Sequence, residues 1–417
     1  MTSTRPRAAL RGRFALAAAA VLVLIAAAVL PGAVARSTAP SRGAGPVSFT
    51  LPAPTGPVQV GTLELHLVDD DRGDPHAPEG GPRELVVSLW YPARHRDGAP
   101  LAPHLPRRIA SFYDQSTGDL GIDAGDADFR GATSHAQTRA PVDTGSGRRP
   151  VVLYSSGGGL SRALGTSLVE DLASHGYVVV TVDSTYEAPV EFPDGLVLPV
   201  AELDAAEALA ARVLDLRFVL NTLEAVVGGA EPDAGGRELP DRLASVLDLD
   251  HVGALGHSLG GFAVAEAMRA DPRIDAGVNL DGSMPTALRS QRESQIGRPF
   301  LLVGAGTDEG TGNPHHHLAS PDWAAFWADL TGWRRDLHLP GAEHLSFTDL
   351  QTVLPQLDAA LDLDEAAVTA AIGSVDPAQS LSVQRTWLAA FFDQHLRALP
   401  RPVLDAAPDD LPAELIS

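Results

Sequence analysis

Gly256-His257-Ser258-Leu259-Gly260-Gly261 stands between two apolar runs of different character. The residues before it, His251-Val252-Gly253-Ala254-Leu255, suit a buried strand, and those after it, Phe262-Ala263-Val264-Ala265-Glu266-Ala267-Met268, suit a helix. A strand that turns sharply into a helix with Ser258 at the tip holds the hydroxyl in a strained, exposed position, and flanking glycines keep the crossing free of side-chain clashes. The hydroxyl then lies over a helix N-terminus, where backbone N–H groups and the dipole favour negative charge. This is the pattern of a nucleophile elbow. The rival is a Gly-rich turn with an incidental serine, and the strand before and helix after argue against it.

Strands and helices alternate outward from the elbow. Upstream, Pro150–Ser155 is a short apolar strand, Leu160–Ser174 an amphipathic helix, Tyr177–Val182 a strand and Glu202–Leu223 a long helix. Downstream, Asp275–Leu280, Pro299–Val303 and Arg335–Leu339 read as strands and Ser380–Leu396 as a helix. Such alternation predicts a mostly parallel sheet with helices on both faces. Val58–Val68 and Glu84–Tyr91 alternate apolar and polar residues and read as an N-terminal antiparallel pair. The acidic loop Asp69–Gly81 joins them, and its Arg72-Gly73-Asp74 reads as a solvated turn. Pro92–Arg149 is aperiodic and rich in Gly, Pro and Asp, which makes it a candidate cap or lid. The expected organisation is a signal over 1–35, a linker over 36–55, one α/β-hydrolase domain over 56–398 with 92–149 as a possible lid insertion, and a frayed tail over 399–417.

Composition bounds the compartment and the chemistry. Arg5, Arg7, Arg11 and Arg13 precede the uncharged apolar run Phe14–Leu30, and Ala33-Val34-Ala35 follows as a small-x-small cleavage site. This reads as an export signal of a secreted protein, with an uncleaved membrane anchor as the alternative. The chain has no cysteine, which excludes disulfides, a thiol nucleophile and zinc–thiolate sites. It has no lysine either, so Ser-Lys chemistry is excluded. A formal net charge of −22 repels phosphate backbones and argues against nucleic acid as a partner.

A serine nucleophile needs a base, and the base needs an orienting carboxylate. Position selects His344, in Gly341-Ala342-Glu343-His344-Leu345-Ser346-Phe347, because it follows the last expected strand. His257 adjoins the serine, but the elbow turns its side chain away from the hydroxyl. His315-His316-His317 resembles a metal cluster, yet consecutive side chains diverge, so these residues are expected in a solvated loop with no metal bound. Two aspartates compete for the acid. Asp281 follows the strand after the elbow, and Asp308 follows the next strand, the commoner location in this fold.

The chain resembles the type-II platelet-activating factor acetylhydrolase family, and in particular its secreted bacterial lipase-like members. The resemblance runs through Leu51–Pro57 with Val60-Gly61, Leu89-Trp90-Tyr91-Pro92, Pro150–Arg162 with Asp171–Tyr177, the elbow, Leu280-Asp281-Gly282 and the His344 segment. It implies Asp281 as the acid, shortly after the elbow, and His344 as the base, in a His-x-x-Phe arrangement with Phe347. Oxyanion donors are expected from the backbone N–H of Leu259 and, from the loop Ser155-Ser156-Gly157-Gly158-Gly159, of Gly158. Family members carry His-Gly where this chain has Ser156-Gly157. The resemblance implies a cofactor-free serine ester hydrolase acting on small-molecule esters or lipids, foremost phospholipids with short or oxidised sn-2 chains, with transient contact to a lipid surface. A short-chain carboxylesterase and a polyester hydrolase are the alternatives within enzymes, and a non-catalytic binding protein on the same scaffold is the alternative outside them. Oligomeric state has no signature in the sequence.

Overall fold

The computed structural model describes residues 45–77, 80–200, 203–289, 295–308, 311–406 and 412–417. The expected signal 1–35 and residues 36–44 of the linker lie outside them. The strands are β1 (Val60–Gly73), β2 (Pro82–Pro92), β3 (Leu101–Pro103), β4 (Thr133–Thr138), β5 (Arg149–Ser155), β6 (Val178–Val182), the short pair β7 (Val190–Glu191) and β8 (Leu196–Val197), β9 (Leu247–His257), β10 (Ile274–Leu280), β11 (Phe300–Gly304), β12 (Arg334–His338) and β13 (Glu414–Ile416). Eleven of them form one sheet in the order β13-β12-β11-β10-β9-β5-β6-β2-β1-β4-β3. The run from β6 through β12 is parallel. β1 and β2 pair antiparallel at one side, as their alternation predicts. This is the α/β-hydrolase fold. β5 is buried along its whole length, as a strand covered on both faces must be.

The helices are α1 (Arg107–Ser116), α2 (Thr166–Ser174), α3 (Ala205–Val227), α4 (Leu243–Val246), α5 (Leu259–Ala270), α6 (Pro321–Asp329), α7 (Leu350–Leu361), α8 (Glu365–Ile372) and α9 (Pro377–Leu396). α3, α5 and α6 pack on one face of the sheet, and α2 and α9 on the other. Asp204 caps α3 by accepting from the N–H groups of Ala206 and Glu207. Leu209, Leu216, Val219, Leu220 and Leu223 recur at helical spacing and form its buried stripe. Arg212 and Asp215 lie buried on the same stripe.

Two regions differ from expectation. Arg72-Gly73-Asp74 is not a solvated turn. β1 runs on through Gly73, Asp74 is buried and bonded to Arg83 Nη1 at 2.7 Å, and Arg72 pairs with Asp215. Buried carboxylates recruit these two arginines, so charge alone was a poor guide to exposure. The tail is not frayed in the residues described. β13 adds an antiparallel strand to β12, Leu404 is fully buried, and Arg335 Nε donates to the Leu404 carbonyl at 2.9 Å. The reason is an otherwise unpaired sheet edge, which the tail covers. Within 92–149, β4 lies parallel to β1, and Ile109 and Phe129 join Leu354 and Leu357 of α7 in one apolar cluster.

Leu404→Ala should cost about 2–4 kcal/mol of unfolding free energy, because it leaves a cavity where a fully buried side chain packed in the apolar cluster. Urea denaturation monitored by far-UV circular dichroism measures it.

Candidate active site

Ser258 sits where β9 ends and α5 begins, at φ 55° and ψ −128°. A β-carbon on Gly256 would lie 2.3 Å from the Gly260 carbonyl carbon, and one on Gly260 would lie 2.1 Å from the Ser155 oxygen. Only glycine lets the strand and helix cross this closely. The Ser258 N–H donates to the Leu280 carbonyl at 2.9 Å, which fixes the tip against the end of β10.

Asp281 is the next residue on β10's path, and it too has a positive φ, 55°. Its carboxylate is buried and accepts three hydrogen bonds: Ala305 N–H at 2.7 Å and His315 Nδ1 at 2.6 Å on Oδ1, and His344 Nδ1 at 2.6 Å on Oδ2. Burial pushes its pKa up, but His315 and then His344 outweigh that and hold it well below the ordinary carboxylate range. The group is therefore an anion at neutral pH. With Nδ1 of His344 committed to Asp281, Nε2 is the ring nitrogen able to take a proton from a hydroxyl.

His344 opens a short 3₁₀ turn, His344–Phe347, closed by a reciprocal capping box between Glu343 and Ser346. Its carbonyl accepts Nε2–H of His257 at 3.0 Å, and the two imidazole rings lie 4.6 Å apart. Burial drives the His257 pKa down to about 3, so this ring is neutral and acts as a brace for the His344 backbone. Phe347 stacks over His257 from the other side of the turn.

Gly158 lies beside Leu259, whose side chain would stand 3.8 Å from a β-carbon on Gly158. The Gly158 loop and the start of α5 are thus neighbours through the Leu259 side chain. The loop that carries Gly158 is held from beneath by Arg212. Its guanidinium donates to the carbonyls of Ser156 at 2.6 Å and Gly157 at 3.1 Å, to Ser155 Oγ at 2.9 Å, and through two nitrogens to Glu187. Sequence reasoning missed Arg212. The available signal was a cation on the apolar phase of α3, a position that a solvated residue would not occupy.

The histidine run is corrected. His315 and His317 are buried, not solvated. His315 braces Asp281, and His317 receives Asp336 on both its backbone N–H and its Nδ1 at 2.7 Å. Each buried carboxylate needs donors, and the turn supplies one imidazole to each. Asp308 follows β11 as expected, but its Oδ2 accepts from Ser320 Oγ at 3.0 Å, while His344 Nδ1 goes to Asp281.

Known proteins resemble this chain. The family model for platelet-activating factor acetylhydrolase, isoform II, matches residues 46–188. A probable 1-alkyl-2-acetylglycerophosphocholine esterase of Arthroderma benhamiae is 27% identical over 376 residues, 83% of this chain and 88% of its own length. The chain is similar to the platelet-activating factor acetylhydrolase isoform II family. Among solved structures, a ferulic acid esterase from Streptomyces cinnamoneus superposes with a TM-score of 0.72 at 34% identity, covering 90% of this chain and all of that one. A bis(hydroxyethyl) terephthalate hydrolase of Streptomyces coelicolor is 30% identical over 184 residues, 41% of this chain and 54% of its own. The chain is an ester hydrolase.

Two substitutions test the geometry. Asp281→Asn should lower kcat by about 10⁴ with KM little changed, because the amide leaves His344 free to adopt the wrong tautomer. Asp308→Asn should cost less than about tenfold, since its carboxylate serves Ser320. Steady-state kinetics on a p-nitrophenyl ester separates the two. Arg212→Ala should lose about 3–5 kcal/mol of stability, because Glu187 is left as a buried unpaired charge. Chemical denaturation reads that loss.

Proposed function

We propose that this protein is an exported serine esterase working through an acyl-enzyme. Ser258 attacks the ester carbonyl while His344 Nε2 takes its proton, and the backbone N–H groups of Leu259 and Gly158 receive the developing oxyanion. His344 then returns the proton to the leaving alcohol, and a water deprotonated by the same imidazole releases the acid. Asp281 holds the tautomer and offsets the imidazolium charge. The observation that carries this reading is the 2.6 Å bond from His344 Nδ1 to a buried, ionised Asp281 at the foot of a serine with φ 55°. The apolar signal-like N-terminus supports export.

For substrate, the family supports phospholipids with a short sn-2 acyl chain, encountered at a lipid surface. A second reading has its own support: the two Streptomyces relatives at 34% and 30% identity are named for ferulic and terephthalic esters, both of aromatic acids. Aromatic acyl esters are therefore the competing class. A panel of p-nitrophenyl esters from C2 to C16, a short-chain sn-2 phospholipid and methyl ferulate distinguishes them, the preferred class being the one with the highest kcat/KM.

Ser258→Ala should abolish turnover by about 10⁴–10⁶ in kcat while the far-UV spectrum stays unchanged. A fluorophosphonate should label the wild-type chain at Ser258 and leave the variant unmarked. A variant keeping a tenth of the wild-type rate would overturn the mechanism.

A further inference from the structure

We infer that Asp308, His315 and Asp322 form a site for a first-row divalent cation of the zinc type, joined to the proposed catalytic acid through a single imidazole. One donor atom from each residue lies within 4.8 Å of the others. Tetrahedral zinc with bonds of about 2.0–2.2 Å needs donors roughly 3.4 Å apart, so a small side-chain closure supplies three donors and leaves the fourth position to water.

The imidazole makes this more than a group of acids. His315 is almost fully buried, at 1% exposure, and its Nδ1 is tied to Asp281. Its Nε2 has no hydrogen-bond partner among the described residues. A buried ring nitrogen without a partner is costly unless something occupies its lone pair or its proton. A carboxylate holding Nδ1–H so that Nε2 faces a cation is the usual second shell of a metal-bound histidine. Trp323 lies against the ring with centroids 4.1 Å apart, and its indole N–H is bound to the Gly282 carbonyl, so the imidazole cannot swing away.

The carboxylates point the same way. Ser320 Oγ lies 3.0 Å from Asp308 Oδ2 and 2.7 Å from Asp322 Oδ1, which holds the two carboxylates side by side. Asp322 also accepts the N–H groups of Met284 at 2.5 Å and Trp323 at 2.8 Å, which orient it as a fixed anion. Three carboxylates, counting Asp281, thus converge on His315, and a dication relieves their mutual repulsion. One nitrogen and two oxygens suit zinc or manganese. Calcium, which takes six to eight oxygens, is poorly served.

The full-length protein, stripped with EDTA, is titrated with ZnCl₂ and separately with CaCl₂, using calorimetry and thermal unfolding. Neither readout needs turnover, so the result stands apart from the esterase mechanism. Zinc should bind with one equivalent at this site and raise the unfolding midpoint, and calcium should do neither. Asp308→Asn should weaken zinc binding by at least about tenfold, and so should Asp322→Asn, whose partly exposed position makes it the milder change. If zinc neither binds nor raises the midpoint, or if it binds equally well to both variants, the inference is overturned and His315 is a protonated bridge within an ion network.

Discussion

The carboxylate of Asp281 ties together parts of the chain that are far apart in sequence. It receives His344 from the turn after β12, His315 from the turn after β11, and the Ala305 N–H from the end of β11 itself. Its own backbone N–H goes to the Val303 carbonyl, and the neighbouring Leu280 carbonyl takes the Ser258 N–H. Ser258 and Asp281 both have φ 55°, a conformation that costs on the order of 1–3 kcal/mol for a non-glycine residue. Two strained residues at adjacent strand ends persist because the parallel sheet over-determines them. Asn279 adds to this by bonding both the N–H and the carbonyl of Gly282, which locks the turn after Asp281.

The acidic surface and the interior obey different rules. A net charge of −22 leaves most carboxylates in water, yet several of the most informative ones are buried. Asp215 holds Arg83 and Arg72, Glu187 holds Arg212, and Asp281 holds two imidazoles. Arg212 matters most for chemistry, because it converts the flexible Ser155–Gly159 loop into a fixed cradle by binding two consecutive carbonyls. A guanidinium suits this task, since its planar fork meets Glu187 on one edge and the loop carbonyls on another.

The elbow, the parallel strands and the position of His344 were legible because each depends on local pattern. Gly256 is required by a contact within the turn and Gly260 by the close approach of Ser155, and both β5 and the Val252–Leu255 half of β9 show their burial as short apolar runs. Choosing between Asp281 and Asp308 was harder, because both follow strands on neighbouring sheet positions. The short interval from the elbow, read through the family resemblance, favoured Asp281, whose Oδ2 accepts from His344 Nδ1.

The sequence by itself determined the strand-turn-helix at Ser258, the alternation that builds the sheet, and a chemistry free of cysteine and lysine, since these rest on residue identity and near-neighbour spacing. Only the tertiary structure decided the partners of His315, Arg212, Asp74 and the C-terminal strand. Each of those pairings joins segments from nine to well over fifty residues apart, and each is set by the need to satisfy a buried charge or a sheet edge. Such a need exists only after the chain has folded, so a local pattern can mark a residue such as Arg212 as buried but cannot name its partner.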